Sequence, residues 1–379
     1  MAIDKVTSAA ITDGTITNSD LASGTIENQS AFKNIIINGD MSLAQRAESA
    51  SSLTSSGYHA LDRFNNGINS QGTWTISQDT TVPTGQGFAK SLKYDCTTAD
   101  GSPASGDYVW LEQKIEGQNL QYLKKGTSSA ESVTISFWVY ATKTGTNILE
   151  LLDKDNTRHI CQSYTISSSD TWEKKEITFA GDTTGAFNND NGESASLLFW
   201  LGAGSNYTSG SLATSWASFS GAAANRAVGQ VNHADSTSNN FYITGIQMES
   251  GTAASDFEFL PVDVNLRRCQ RYYFLKASQP ASDSQSIGVG TYYTSSSMRA
   301  DVAFPVTMRA MPSIDVDTVS NGYRIRVNNT SDAFNDFTIN NPSLTSTQII
   351  NASASGTQGQ AGLVFTDAAG AHLAFASEL

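Results

Sequence analysis

The chain has 379 residues, of which only 16% are charged, and its 36 Asp and Glu against 23 Lys and Arg leave a formal net charge of −13. That length exceeds what one compact core usually holds and predicts two or three domains. The acidic balance excludes nucleic acid as a partner, because phosphate binding needs clustered cations, and no apolar run is long enough to insert into a membrane. The N-terminus "MAIDKVTSAA" lacks the basic-then-apolar pattern of a signal peptide, so synthesis in a cytosol is expected. Ser, Thr, Asn and Gly separate short apolar runs, and the Lys/Glu/Leu-rich stretches of long helices are missing, which predicts an all-β chain. Cys96, Cys161 and Cys269 are an odd number at wide spacings; they fit neither a disulfide framework nor a zinc site and are expected as buried thiols.

Residues 6–30 fall into pentads that place Val6, Ile11, Ile16, Leu21 and Ile26 at a constant spacing of five. A strand alternates faces at every residue, so this spacing keeps one apolar row only if the chain bends between repeats, which the Asp-Gly, Asn-Ser-Asp and Ser-Gly steps allow. A segment this short cannot bury its own row. Residues 1–33 are therefore expected to be an anchor and oligomerisation stalk, wound against copies of itself in a homotrimer or docked on a partner; a tail whose spacing arose by chance is the alternative.

From Asn34 the text alternates. In "SVTISFWVYAT", Val133, Ile135, Phe137 and Val139 share one face and Thr134, Ser136, Trp138 and Tyr140 the other. "DYVWLEQKIEG", "DTWEKKEITFAG" and "SASLLFWLGAG" repeat the theme between Gly, Asp, Asn and Ser clusters and read as strands of a sandwich covering residues 34–262. Trp74, Trp110, Trp138, Trp172 and Trp200 sit in strand-like runs and are expected as core or rim packing. Trp216 differs, lying in a stretch of small residues from Asn206 to His233; Tyr207, Trp216 and Phe219 there are the candidate ligand-contact surface. "NNDNGES", residues 188–194, gathers oxygen ligands on a glycine turn but lacks the twelve-residue calcium pattern. It is expected to be a plain polar loop, and no cofactor is expected, with a structural calcium as the alternative.

The strand containing Phe241, Ile243 and Ile246 closes this first sandwich, a linker follows around Pro261, and "LRRCQRYYF" opens a smaller β-sandwich over 263–379. Arg267, Arg268 and Arg271 are expected to pack on Tyr272 and Tyr273 and on carboxylates at a domain or subunit boundary. Asn321-Gly322 predicts a hairpin turn, "GLVFTDAAGAHLAFASEL" two strands around a turn, and "SLTSTQIINASASGTQGQAG" an exposed loop.

In order, "NIIINGDM", "YHALDRF", "LEQKIEG", "TISFWVYAT", "TWEKKEITF" and "FYITGIQMESG" resemble a jelly roll of the carbohydrate-binding-module type, and more closely the version found in bacteriophage tail fibres and related virion proteins. In that group a Gln-x-Glu-x-Gly turn leads into a Cys-Gln-Arg-Tyr-Tyr segment, matched here by Gln247, Glu249 and Gly251 and then by Cys269, Gln270, Arg271, Tyr272 and Tyr273. "FPVTMRAMPS" likewise resembles an early strand pair of the C-terminal sandwiches of such fibres. The resemblance spans about residues 34–312. It implies a structural virion fibre protein, made in the host cytoplasm, bound to other virion proteins through its N-terminal segment and to host cell-surface glycan. A head fibre or decoration protein built from the same modules is the alternative. The resemblance also implies a calcium ligand just after the Asn-Gly of the first strand, where Asp40 is followed by Ser42 after Met41 and the match breaks.

Neither Gly-x-Ser-x-Gly nor His-Glu-x-x-His nor a phosphate-binding loop occurs, and His59, His159, His233 and His372 are widely separated. The chain is therefore read as a non-enzyme. Glycoside hydrolysis needs only two carboxylates, so a polysaccharide depolymerase is the remaining catalytic alternative, with Asp62, Glu112, Glu249 and Glu258 as its candidates.

Overall fold

The computed structural model describes residues 32–219, 221 and 223–379. Val6, Ile11, Ile16, Leu21 and Ile26 lie outside the described residues. Residues 34–379 form one compact unit, and it is nearly all β, as the composition predicts.

Its first part holds β1 (Ser49–Gly57), β2 (Asn65–Asp79), β3 (Ser91–Thr98), β4 (Tyr108–Glu116), β5 (Val133–Ala141), β6 (Gly145–Asp153), β7 (Arg158–Ile166), β8 (Glu173–Phe179), β9 (Glu193–Ala203), β10 (Ala217–Ser218) and β11 (Asn240–Ser250). The strands are joined in the order β10-β7-β6-β9-β4-β2-β3-β11-β5-β8, all neighbours antiparallel, with β1 beside β2. β2 belongs to two layers: Asn65–Ser70 pair with β4, while Thr73–Asp79 pair with β3. Between the two halves Ser70 and Gly72 take φ of 56° and 74°, and a Cβ on Gly72 would meet the Thr98 carbonyl at 2.8 Å. A left-handed step without a side chain turns the strand there.

The two layers close on a common core. Leu149, Leu151, Leu197, Phe199, Val109 and Leu111 of the front layer meet Trp74, Ile76, Phe241, Ile243, Ile135, Phe137 and Val139 of the back layer. Phe137 touches Phe199 edge-on across the gap, with ring centroids 5.0 Å apart. The four apolar residues singled out in β5 are 0–5% exposed. In β11 the alternation slips: Phe241 and Ile243 are followed by Ile246 and Met248, because Gly245 (φ 64°) forms a bulge between Thr244 and Gln247.

A short helical turn, α1 (Ser205–Thr208), follows β9, and after β11 a helix, α2 (Val262–Gln270), stands where a linker and a strand are expected. Pro261 stands at its N-cap and accepts bonds from Val264 and Asn265. It buries Asn265 and Cys269 one turn apart. The strands that follow are β12 (Tyr273–Ser278), β13 (Ser286–Thr294), β14 (Ser297–Ala303), β15 (Ser313–Val316), β16 (Tyr323–Val327), β17 (Thr330–Phe334), β18 (Thr338–Asn340), β19 (Ser346–Asn351), β20 (Ala361–Thr366) and β21 (His372–Ala376). They make a sheet β12-β21-β15 and a sheet β17-β16-β20-β13-β14-β19-β18 over a second core containing Met298, Val302, Tyr323, Ile349, Val364 and Phe375.

Two expectations are corrected here. Asn321-Gly322 does not make a hairpin, because β15 pairs with β21 and β16 with β17 and β20. The hairpin lies one strand later, at Asn328-Asn329 (φ 48° and 64°), a two-residue turn with both residues left-handed. "STQIIN" of the expected loop is β19, while β20 and β21 are two strands around the Asp367–Gly370 turn, as expected, and join different sheets.

The two sheet systems meet around Ile37, Cys269 and Tyr272. The tyrosine rings do carry guanidinium groups, but from the jelly roll: Arg63 stands 3.5 Å over Tyr272 and Arg46 3.6 Å over Tyr273. Arg271 pairs instead with Glu116, and Arg268 donates to the Asn34 carbonyl. Cys96, Cys161 and Cys269 are buried free thiols, as expected.

Candidate functional site

The stretch after β9 folds back over the outer face of the front layer. Tyr207 is buried there, its ring 5.3 Å from Trp200 and 5.8 Å from Tyr108. Trp216 turns inward and donates its indole N–H to the Ala180 carbonyl at 2.7 Å. Phe219 is half-buried, 5.6 Å from His159. The structure thus brings the Tyr207 and Phe219 rings within 5.9 and 5.3 Å of one guanidinium, that of Arg226, and sets Trp216 apart; all three rings anchor the loop.

Arg226 is the pin of this arrangement. It donates from Nε and Nη2 to both oxygens of Glu150 at 2.9 Å, while Trp200 Nε1 lies 2.9 Å and His159 Nδ1 2.8 Å from the same carboxylate. Burial works against the Glu150 charge, but Arg226 and His159 outweigh it and hold the carboxyl below its usual range. Glu150, His159 and Cys161 offer ligand atoms within 4.8 Å of one another. The positive charge at this carboxylate is nevertheless supplied by the guanidinium, so the set does not favour a metal ion. The other oxygen-rich turn is a tie: Asn188 pairs with Asp155, and Asn191 donates to the Arg309 carbonyl. Asp40 accepts from Ser42 and Asn265.

His233 closes the far end of the loop. It is fully buried, 2.7 Å from Asn147 Oδ1, and burial, aided by Lys143, pushes its pKa down to about 3. The unfolded chain takes up this proton below about 6.5 while the folded chain does not, so the stability it carries is complete above 6.5 and is lost as pH falls toward 3. The stability gap between the native chain and His233→Asn is expected to shrink by roughly 3 kcal/mol between pH 7 and pH 4 in urea melts; an unchanged gap would refute this.

The candidate carboxylates are all held structurally. Asp62 is 1% exposed, accepts two bonds from Gln45, and is pushed up to about 6 by burial. Glu112 is buried and raised for the same reason. Glu249 accepts from Gln247 and Ser255, and Glu258 accepts from the Asn34 amide, which builds the tight turn after β11.

On the outer face of the back layer Thr134, Ser136 and Thr244 are buried, but several aromatic rings are not. Trp138 and Tyr140 of β5 are half-buried there. Register sets Tyr140 beside Tyr242, and Tyr242 beside Lys93; it sets Trp138 between Lys174 and Thr244. Tyr140, Tyr242 and Trp172 form one cluster with centroids 5.1–6.5 Å apart, and Tyr140 Oη donates to Asp170 at 3.1 Å. Next to it runs a groove of about 410 Å³, lined by Ser136, Trp138, Lys174, Gln86, Asp256 and the rings of Phe88, Phe257 and Phe259. That volume suits a small ligand, and aromatic faces beside a few carboxylate, ammonium and amide groups suit a molecule with both C–H faces and hydroxyls. Sequence reasoning placed Trp138 in core or rim packing. The signal that could have found it was the alternation itself, which already put Trp138 and Tyr140 opposite the core residues.

No family model matches the chain, and no curated protein sequence does. Among solved structures, the enzymatically active domain of tailspike protein 4 of bacteriophage CBA120 aligns at 13% identity and a TM-score of 0.30, covering 58% of this chain and 22% of that one. The chain therefore spans about a fifth of that tailspike domain's length. A family 11 carbohydrate-binding module of Clostridium thermocellum, in complex with a β-1,3-1,4-mixed-linked tetrasaccharide, aligns at 10% identity and a TM-score of 0.27, covering 56% and 99%. A family 4 carbohydrate-binding module aligns at 12% and 0.29, covering 56% and 97%.

Proposed function

We propose that this chain is a non-catalytic virion fibre protein, of the tail-fibre kind, that adheres to the bacterial host surface by binding glycan in the groove beside Trp138. The observation that carries the binding role is the aromatic groove: Trp138, placed by sheet register, stands beside Phe88, Phe257 and Phe259 of the flanking segments, with Lys174, Asp256 and Gln86 to meet hydroxyls. The ordered motif set, from "NIIINGDM" to "CQRYY", supports the fibre role. Assembly as a homotrimer through residues 1–33 belongs to the same reading, and several weak sites on one particle would then act at high effective concentration.

Trp138→Ala is expected to weaken binding of host surface polysaccharide about thirtyfold, the loss of roughly 2 kcal/mol typical of a central aromatic anchor. Isothermal titration would measure it, with circular dichroism to verify the fold. Unchanged affinity in a folded variant would remove the groove from the proposal.

A further inference from the structure

We infer that the groove selects a sugar bearing a methyl group, seated on the wall formed by Phe88, Phe257 and Phe259. The inference rests on the glycan reading above and names the class of sugar. The lining divides by origin. Ser136, Trp138 and Lys174 come from the sheet, whereas the three phenyl rings come from the segments before β3 and after β11. The rings form a closed cluster, with centroids 4.8–5.1 Å apart.

Two backbone features hold that wall in place. Gly245, at the β11 bulge, lets the Phe88 ring approach so closely that a Cβ would stand 2.5 Å from it. Gly87, left-handed at φ 84°, lies under Phe259, a Cβ there meeting the ring tip at 3.1 Å. Phe88 is therefore buried as a base, while Phe259 remains 50% exposed at the groove.

Phenyl rings offer a hydroxyl no hydrogen-bond partner. A sugar hydroxyl pressed against this wall gives up its water without replacement, whereas a methyl gains by leaving water. A methyl reaches such a wall from two sources, a 6-deoxy carbon or the end of an N-acetyl group, and both present the same chemistry.

The test titrates the full chain with length-matched oligosaccharides of rhamnose, N-acetylglucosamine and glucose. At least one of the first two is expected to bind roughly tenfold or more tightly than the glucose oligomer, the discrimination an apolar pocket achieves over one methyl-sized group. Which of them binds identifies the source. Phe259→Ser, at an exposed position that leaves the core intact, is expected to bring that ratio toward one while Trp138→Ala lowers every affinity. Equal affinities, or a preference for glucose, that still fall together in Trp138→Ala overturn the methyl inference and leave glycan binding standing. Absence of binding by all three overturns the inference and counts against the groove as a glycan site.

Discussion

Glu378→Ala is expected to destabilise the protein by about 3–5 kcal/mol, the cost of leaving a buried charge without its partner. Glu378 accepts from Arg63 and, at 3.1 Å, from Arg46. Arg63 is 1% exposed; burial alone would lower its pKa, and the Glu378 carboxylate is what raises it instead. Its remaining contacts are the Tyr272 face and the Lys114 carbonyl, at 2.7 Å, and these cannot neutralise two guanidinium groups. Because Arg46 and Arg63 precede β2 while Glu378 follows β21, the loss falls on the seam between the two sheet systems. Hydrogen exchange should rise first in β12 and β21, and Glu378→Gln, which keeps an acceptor without the charge, should fall between the native chain and the alanine variant. A loss below about 1 kcal/mol in urea melts would show that the arginines are held by their rings alone.

Glu150→Ala is expected to cost a similar 3–5 kcal/mol, with a local readout. The substitution removes the acceptor of Arg226, Trp200 and His159 at once, and Arg226 is almost as buried as the carboxylate it faces. The loop from Ser205 to His233 should then be cut by protease at low enzyme doses while the β-sandwich core resists. Combining Glu150→Leu with Arg226→Met should cost less than the sum of the two single changes, since the pair is removed without stranding either charge. Additive losses would mean that Arg226 is held by the aromatic rings around it and not by Glu150.

Much of the fold follows from local pattern. Alternation located β4, β5, β8 and β9 and assigned the faces of β5 correctly, because a half-covered strand repeats every two residues whatever its neighbours are. Patterns failed where a strand's partner is remote. β2 looks like one strand but serves two layers, since the step at Ser70 and Gly72 is a backbone event. The Asn321-Gly322 signal was read as a hairpin although β15 finds its partner at β21, some sixty residues on. α2 stands where the pattern predicts a linker around Pro261 and the opening of a β-sandwich at "LRRCQRYYF", because its buried Asn265 and Cys269 do not form an apolar stripe.

The sequence by itself determined the all-β class, the acidic charge and the aromatic supply, for these depend on composition and on alternation within single strands. Only the tertiary structure decided which aromatics are open. Tyr108, Trp110 and Trp200 on the front layer and Trp138, Tyr140 and Tyr242 on the back layer have similar local patterns. The first set packs under a loop pinned through Arg226 to Glu150, 76 positions away, which buries Trp200 fully, whereas the second borders the groove with all three rings half-buried. Exposure depends on what packs against a face, and that partner is chosen by long-range burial and charge pairing.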